Sequence, residues 1–587
     1  MVANLGPSPA AERTSDRLSQ VATLQPSAAK QRSAIMAGGP LASAFALAAC
    51  GGEGGDAQPA ASPSVTPTAQ SAPTAWPSVD PNQIKAARFL AQASVGCASG
   101  DIEALAGTSV EAWLDTQLAM PRPQKFWDFL VTNGYDASSN KSTTNGFDPM
   151  IWSQLIGSGD VLRQRVGLAL LNIWVVSIDG ITSSWKQFNI ASYLDNIWDN
   201  AFGNYRDVME AASTSLAMGM YLTYLGSTKQ NNTKNEMPDE NFARELMQLF
   251  TIGLYHLEMD GTESRSGGEP IPTYTQEDVS LGARVWTGYT YGSSEVDTPA
   301  RVRLPMAIRP SLHETQQTSF LGGRVNVPSD SDAQVARKIT LDGLFNHPNM
   351  PPFICKRLIQ SLVSSNPSPA YIRRVAMTFV DNGNGVRGDL KAVIRAILLD
   401  AEARDDTVVA STSFGKLREP VLRFLQWARA FKVRSPSQLW PFGSLASGAT
   451  QLGQSPARAP SVFNWFRPGY SPAGTAISNA GLVAPEFQIA NEPSVIGYVN
   501  FMQSVVESGA GDAQPDYSEF RQIASDSSKL VSKLNLVLAA NQINEASLRR
   551  IRDAVESING TTDAGLTRRV QAATVLILAS PEYLIVR

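Results

Sequence analysis

The sequence predicts a mainly α-helical protein, with one large multi-helix domain over residues 81–587 that has long loops and a few short strands. Apolar residues recur at helical spacing through most of this region, whereas the alternation typical of strands is sparse. No fixed-period repeat indicates a solenoid. Residues 1–80 differ in composition, and we expect them to lie outside the helical domain.

Residues 1–50 are typical of an export signal of the lipoprotein type. A basic segment precedes a short apolar stretch, residues 35–49, which is too short to cross a membrane as a helix. Leu47-Ala48-Ala49-Cys50 resembles the processing box of bacterial lipoproteins, which implies that the Cys50 thiol carries the lipid. Gly51 in place of an acidic residue implies the outer membrane, so we expect a lipid-anchored protein of the periplasm or outer membrane. The alternative is a disordered N-terminus with a chance alanine-rich patch.

Residues 51–80 are expected to form a disordered tether. They consist mainly of Gly, Pro, Ser, Thr and Ala, with almost no large apolar side chain. Such a segment buries too little surface to offset the entropy lost on ordering. A flexible tether is useful when its start is anchored, which supports the lipid on Cys50.

Each predicted helix of the domain has apolar residues three and four positions apart, so that they fall on one face. The predicted helices cover residues 84–93, 102–118, 161–176, 188–200, 205–225, 239–255, 333–345, 350–363, 369–379, 389–399, 420–431, 518–524, 527–540, 545–558 and 565–578. Short strands are predicted within residues 287–291 and 302–308, where polar and apolar residues alternate.

The composition excludes several classes of function. The formal net charge is −4 and no basic run stands out, so we expect no nucleic-acid partner. The chain has no GxSxG elbow, no phosphate-binding GxxxxGK[ST] motif and no GxGxxG after a strand, which disfavours nucleotide and hydride chemistry. Cys97 and Cys355 lack the spacing of a zinc site, and they either form a disulfide or are small buried fillers.

Glu245 is the first candidate for catalysis. It lies at the edge of the apolar sector of the helix predicted over residues 239–255, one turn from both Phe242 and Leu249. A carboxylate in this position is removed from water, which raises its pKa towards the range of a general acid. The other members of the apolar sector are Leu246, Phe250 and Leu254.

Hydrolysis of a glycoside needs a second carboxyl group, and Asp278, Asp239 and Glu277 are the possible partners in the sequence. Asp278 and Asp239 each have a structural alternative. Asp239 is placed to cap the helix of Glu245, and Asp278 follows Thr275 at the spacing of a capping box. The alternative for Glu245 itself is an ion pair with Arg163, Arg165 or Arg284.

The loop of residues 461–470 is a candidate substrate-binding segment. Trp465, Asn464, Arg467 and Tyr470 combine aromatic faces with amide and guanidinium groups, which suits a sugar platform and equally suits a loop fixed on the core by its rings.

His313 precedes Glu314 in a predicted loop and is a further candidate, as a ligand-binding or acid–base group. Neither it nor the other two histidines, His256 and His347, stands in a metal-binding motif. The sequence therefore assigns no metal, and it leaves the cofactor undetermined.

Seven segments are similar, in the same order, to a bacterial family called domain of unknown function 1800. The resemblance extends over residues 85–585 and is carried by residues 201–222, 238–262, 272–289, 345–376, 388–404, 415–424 and 460–472. It implies a large exported protein without a settled activity, whose partner in the envelope is a sulfatase-like protein encoded nearby. After Pro305 the family tends to carry His, Asp and Lys, whereas this chain has His313, Glu314 and Thr318.

These observations lead to two hypotheses about function. The first is a carboxylate-dependent hydrolase, with Glu245 as the acid, that acts on an extracellular polysaccharide. The second is a non-catalytic assembly or binding protein that works with the sulfatase-like envelope protein. In both, the membrane is contacted only through the lipid anchor.

Overall fold

Helices form nearly all of the regular structure in residues 76–587, which are the residues that the computed structural model describes. This part of the chain contains 25 α-helices, and its strands form only two-stranded antiparallel sheets. The predicted mainly α fold is confirmed. The predicted export signal with Cys50, and the predicted tether as far as residue 75, lie outside the described residues.

Among the first nine helices, α6 is the most deeply buried, and its residues 162–171 are all buried. This helix packs against α1, α3, α5 and α7, and also against α14 from later in the chain. The nine helices are α1 (Pro81–Ala93), α2 (Ser99–Ala106), α3 (Val110–Ala119), α4 (Phe126–Thr132), α5 (Phe147–Gly157), α6 (Val161–Leu171), α7 (Lys186–Asp199), α8 (Tyr205–Thr214) and α9 (Leu216–Tyr221).

The middle of the chain contains the helices that position the site. Helices α14, α15 and α16 pack against one another in sequence order. The elements are α10 (Asn241–Glu245), a π-helical turn (Leu246–Thr251), α11 (Gln276–Val285), α12 (Ala300–Arg303), α13 (Ala333–Phe345), α14 (Met350–Leu362), α15 (Pro369–Val380), α16 (Leu390–Leu399), α17 (Ala401–Arg404) and α18 (Asp406–Val409).

The remaining helices form a group around the last one, α25, against which α21, α23 and α24 pack. Helix α1 also contacts α23, so the early and late parts of the described chain meet. The helices are α19 (Pro420–Ala430), α20 (Ala476–Asn479), α21 (Glu492–Ser508), α22 (Ser518–Arg521), α23 (Ser527–Ala539), α24 (Glu545–Glu556) and α25 (Asp563–Leu578).

The strands are only two or three residues long. They pair as β1 (Arg265–Ser266) with β2 (Glu269–Pro270), β3 (Tyr289–Thr290) with β4 (Ala307–Ile308), β5 (Thr318–Phe320) with β6 (Val325–Val327), and β7 (Lys416–Leu417) with β8 (Ile585–Val586). In the β3–β4 pair Tyr289 lies opposite Ile308, so both predicted strands exist. The second is shorter than predicted because residues 300–303 are helical.

Several predicted helices differ in extent from the observed ones; the helix predicted over 161–176, for example, ends at Leu171. Residues 102–118 form two helices, because the chain turns at residues 107–109 and Ser109 caps α3 by accepting a hydrogen bond from Ala112 N–H at 3.1 Å. Residues 205–225 also divide, into α8 and α9. The helix predicted over 239–255 ends at Thr251, so Leu254 lies beyond it and is 48% exposed.

Cys97 and Cys355 are free and buried, so the alternative of buried fillers is correct and they form no disulfide. Burial raises the pKa of the Cys97 thiol to about 12 and raises that of Cys355 as well, which leaves both thiols protonated. Within residues 76–587, no helix combines the length and the apolar character that a membrane span requires.

Candidate functional site

A large open cavity of about 1000 Å³ lies where several distant segments of the chain meet. Its walls come from the π-helical turn and the chain that follows it, from α14, from the turn leading into α15, and from α17 and α18. The loop of residues 463–469 and residues 481–483 complete it. All of these walls except α18 and residues 481–483 contain residues from the segments that carry the family resemblance, which makes this cavity the candidate site.

The cavity walls are largely apolar. Leu254 and Tyr255 line it and are 48% and 40% exposed, although residues of this size are usually covered. Phe353, Phe414 and Phe463 add aromatic surface from three other segments. Such a surface suits a ligand that has a hydrocarbon or ring body.

Hydrogen bonds donated by its own residues attach the wall formed by residues 460–472 to the rest of the domain. The Asn464 amide donates a hydrogen bond to Asn172 Oδ1 at 2.6 Å, and Asn464 itself has a φ of +61°, in the left-handed region. The Trp465 indole donates to Ser455 O at 3.2 Å, and Arg467 N–H donates to Gln488 Oε1 at 2.7 Å. These bonds fix the loop on the core and leave Arg467 at the cavity.

The four candidate binding residues of this loop therefore divide. Arg467 lines the large cavity together with Phe463. Asn464 instead lines two much smaller internal cavities, and Trp465 lines one of these two. Tyr470 is half-buried and is not part of the lining. The side chains of Asn464 and Trp465 thus help to fix the loop on the core.

Two cations on α14 face the cavity without a carboxylate partner. Lys356 makes no hydrogen bond or ion pair with any residue in the range 76–587, and burial lowers its pKa while Glu263 partly opposes this. Arg357 donates to Leu249 O at 2.7 Å and to Asn172 O at 3.3 Å. Burial lowers the pKa of Arg357 to about 10, so the guanidinium stays charged at neutral pH.

The three carboxylates of the lining are already engaged. Glu263 forms an ion pair with Arg265 at 2.8 Å. Glu402 accepts from Ser368 N–H at 2.8 Å and from the Ser368 hydroxyl. Asp405 caps α18 by accepting from Thr407 N–H at 2.7 Å. The acidic groups are thus held by local structure, whereas Lys356 is not.

Glu245 is buried, as the sequence predicts, but it does not line the cavity. It is the last residue of α10 and is 7% exposed. Burial raises its pKa and the neighbouring Arg244 opposes this rise. Its Oε2 has no hydrogen-bond partner in residues 76–587.

The predicted alternative of an ion pair between Glu245 and an arginine is wrong. Arg163 lies 3.5 Å from Asp160, and Arg165 donates to the main-chain oxygens of Gln92 and Ser361. No arginine of the described chain, Arg284 included, lies within ion-pair distance of Glu245. The carboxyl group is therefore desolvated and unpaired.

Two of the carboxylates proposed as partners of Glu245 have structural roles instead. Asp278 Oδ2 accepts from Thr275 N–H at 2.7 Å in a capping box, while its Oδ1 accepts from Leu321 N–H at 2.7 Å. Asp239 accepts from Asn241 N–H and from the Thr223 hydroxyl, each at 2.9 Å. Neither shares a hydrogen bond with Glu245, and neither lines the cavity.

His313 is also not part of the cavity lining. It is 2% exposed, and its Nδ1 lies 3.0 Å from Thr287 O and 3.2 Å from Thr287 Oγ1. Burial lowers its pKa, so the ring is neutral at pH 7. No group of three or more His, Cys, Asp or Glu side chains suited to a metal ion occurs in the part of the chain that the structure describes.

A family model described as "Protein of unknown function (DUF1800)" matches residues 88–585. The chain belongs to the DUF1800 family. The resemblance found in the sequence is thereby confirmed over nearly its whole extent. No curated protein and no solved structure matches the chain.

The DUF1800 region also contains a buried ionic cluster that the sequence did not single out. Lys416 Nζ lies 2.8 Å from Glu486 and 3.7 Å from Glu419, and it donates to the main-chain oxygens of Gln360 and Ser361 at 2.9 Å each. Glu419 in turn accepts from the Gln454 amide at 2.9 Å. The three-residue spacing of Lys416 and Glu419 before a helix-starting proline was the available signal.

This cluster lies next to the cavity of the DUF1800 protein. A small internal cavity of about 30 Å³ is lined by Lys416 and Glu486, and it shares Arg357, Gln360 and Pro468 with the large cavity. Its volume suffices for a water molecule. The apolar walls of the large cavity and the polar cluster of Lys416 next to it together suit a ligand that has both apolar and polar parts.

Proposed function

We propose that this DUF1800 protein is a non-catalytic binding protein of the bacterial cell envelope, and that the large cavity is its ligand site. The observation that carries the proposal is the cavity itself, an open space of about 1000 Å³ bordered by the exposed Leu254 and Tyr255. Ligand pockets in proteins are typically of this size or smaller and mostly apolar, with a few polar groups.

The site of action in this proposal rests on the N-terminal sequence. The pattern of residues 1–50 supports export, and Cys50 supports a lipid anchor in the periplasm or outer membrane. Retention of a sulfatase-like envelope protein by the purified DUF1800 protein would support the predicted partnership, and its absence from the purified material would speak against it.

The geometry favours binding over hydrolysis. A carboxylate-dependent glycosidase places two carboxyl groups beside the scissile bond. The carboxylates of the cavity lining, Glu263, Glu402 and Asp405, are all engaged in local hydrogen bonds or an ion pair. Each of the three therefore already serves the local structure, and Glu402 has both of its oxygens engaged by Ser368.

A second candidate function, hydrolysis of a polysaccharide with Glu245 as general acid, is favoured by one observation. Its carboxyl is buried, has a raised pKa and has an Oε2 without a partner in the described chain. The variant Glu245→Gln tests it with the full-length protein and acidic or neutral polysaccharides as substrates. Turnover by the wild type that disappears in the variant would establish this function in place of the binding proposal.

The binding proposal is tested by filling the cavity. Gly469 lines it, lacks a left-handed φ and has no heavy atom within 4 Å of the point where a Cβ would stand, so Gly469→Trp adds a ring there without backbone strain. Gly159 lies outside the cavity lining, also lacks a left-handed φ and also has no heavy atom within 4 Å of the point where a Cβ would stand, which makes Gly159→Trp the matched control. The probe is N-phenyl-1-naphthylamine, an uncharged dye that fluoresces on entering apolar sites.

We expect the wild type and Gly159→Trp to bind the dye with equal affinity, and Gly469→Trp to bind it about tenfold or more weakly, a loss of about 1.4 kcal/mol or more. Equal binding by all three proteins, or no binding by the wild type, would overturn the proposal.

A further inference from the structure

We infer that the cavity recognises an organic anion, and that Lys356 and Arg357 hold its charged group. This inference rests on the proposed function and names the ligand's chemistry. It is carried by a contrast within one cavity: Lys356 has no carboxylate partner and Arg357 has only main-chain partners in residues 76–587, whereas all three lining carboxylates are engaged.

Lys356 is the more telling of the two. It projects from the middle of α14, is half-buried, and lies beyond ion-pair distance of Glu263, the acid whose charge affects it. Its Nζ is not fully buried and reaches the open cavity. A partly desolvated ammonium is more stable beside a negative charge, and an anionic ligand in the cavity would supply that charge.

Arg357 is held in place in a way that leaves donors free. Its two hydrogen bonds, to Leu249 O and Asn172 O, hold the guanidinium in place, and Arg357 lines both the large cavity and the small one. A guanidinium has five N–H donors, so others remain for a carboxylate, sulfate or phosphate oxygen. The arginine is thus pre-positioned before any ligand arrives.

A third cation, Arg467, lines the same cavity and is exposed. It comes from the loop of residues 460–472, on a different wall from α14. Beside these three cations the potential favours an anion, because charges that face a concave, apolar space interact more strongly than charges on an open surface.

The remaining surface specifies the body of the ligand. Leu254, Tyr255, Phe353 and Phe463 present apolar or aromatic faces in the same cavity as the cations. An inorganic anion would leave these faces in contact with water. The combination fits an anion attached to an aliphatic or aromatic body.

The experiment uses two dyes of nearly the same shape. One is 8-anilino-1-naphthalenesulfonate, an aromatic anion, and the other is uncharged N-phenyl-1-naphthylamine. We expect the wild type to bind the sulfonate more tightly than the neutral dye. Raising the salt concentration should weaken only the sulfonate.

Variants of Lys356 separate charge from shape. We expect Lys356→Gln to weaken the sulfonate about tenfold and to leave the neutral dye within about twofold, while Lys356→Arg keeps sulfonate binding. Lys529→Gln, which removes a lysine paired with Asp526 outside the cavity lining, is the control and should change neither. Because Lys356 has no partner in the described chain, its replacement leaves the fold intact, as thermal unfolding will verify.

The outcomes distinguish this inference from the proposed function. If Lys356→Gln weakens both dyes equally, or neither, the anion assignment fails while a Gly469→Trp effect still supports the cavity as a binding site. If Gly469→Trp weakens neither dye, the binding proposal itself fails. A sulfonate-specific loss in Lys356→Gln supports both.

Discussion

At the scale of single residues, Glu245 shows how burial without a partner changes a carboxyl group. Its raised pKa means that the folded protein holds the proton to a higher pH than the unfolded chain does, where the usual glutamate value is about 4.3. The contribution of Glu245 to stability is therefore complete below the unfolded pKa and is lost as the pH rises through the folded pKa.

The variant Glu245→Gln removes this dependence. Glutamine cannot ionise. We therefore expect the melting temperature of the variant minus that of the wild type to increase from about pH 4 upward, and to level off above the pKa of Glu245 in the folded protein. Thermal unfolding followed by circular dichroism between about pH 4 and about pH 8 measures the difference. Exposed Glu295 provides the control, since Glu295→Gln should show no such trend.

The Lys416 cluster predicts a large effect of a single substitution. Replacement Lys416→Met leaves Glu486 buried without its cation, and breaking a buried pair in this way costs about 3–5 kcal/mol. Adding Glu486→Gln to Lys416→Met should recover part of the loss. Urea unfolding of both variants gives the free energies.

The exposed pair of Lys338 with Asp342 is the comparison for that experiment. Lys338 is 74% exposed, and Lys338→Met should change the free energy of unfolding by less than about 1 kcal/mol. A Lys416→Met variant as stable as Lys338→Met would contradict the role given to the cluster.

At the scale of secondary-structure elements, two glycines inside helices lead to opposite expectations. Gly167 in α6 lies against Trp198, and a Cβ there would come within 2.3 Å of the indole ring. Gly282 in α11 has only ordinary contacts, the nearest at 3.6 Å from Ala243. Helix propensity favours alanine at both positions by up to about 1 kcal/mol.

We therefore expect Gly167→Ala to destabilise the protein by about 1–3 kcal/mol, because the overlap with Trp198 outweighs propensity. Gly282→Ala should be neutral or stabilising by up to about 1 kcal/mol. Urea unfolding of the two variants compares them directly. Similar effects of both substitutions would show that α6 and α7 can move apart at little cost.

Helices with clear start signals were predictable from the sequence. Residues 333–345 were predicted with the bounds that α13 has, and Asp332 caps it by accepting from Gln334 and Val335 N–H. Helix α4 was missed because its seven residues are too short to show a period. Helix α21 was missed because it contains Pro493 and Gly497, two residue types that usually interrupt helices. In the structure Pro493 lies in the opening turn, where proline is tolerated, and Gly497 allows close contact with the main chain at Ala449.

The candidate site was less predictable, for a different reason. The burial and raised pKa of Glu245 follow from local spacing, and both were found. The cavity joins residues as distant as Gln248 and Val483, and no local pattern reveals that Lys356 faces an open space without a partner. Periodicity identifies which face of a helix is buried, but not what that face encloses.

At the scale of the whole molecule, the lipoprotein assignment of Cys50 leads to a test in cells. We expect the wild type to appear in the membrane fraction with a diacylglycerol-modified N-terminal cysteine, and Cys50→Ser to be absent from that fraction. Mass spectrometry of the mature N-terminus and detergent phase partitioning measure this. Cys97→Ala is the control, because Cys97 is buried inside the helical domain and should leave the anchor unchanged.

The pairing of β7 with β8 constrains when the domain can finish folding. Leu417 lies opposite Ile585, Arg418 N–H donates to Leu584 O at 2.6 Å, and the Tyr583 hydroxyl donates to Arg423 O at 2.8 Å. The segment that carries Lys416 is thus held by contacts with residues that are synthesised much later, since Tyr583 follows Arg423 by 160 positions. A nascent chain that does not yet contain residues 583–586 lacks these contacts, so the segment around Lys416 reaches its final packing only after the last residues of the domain have been made.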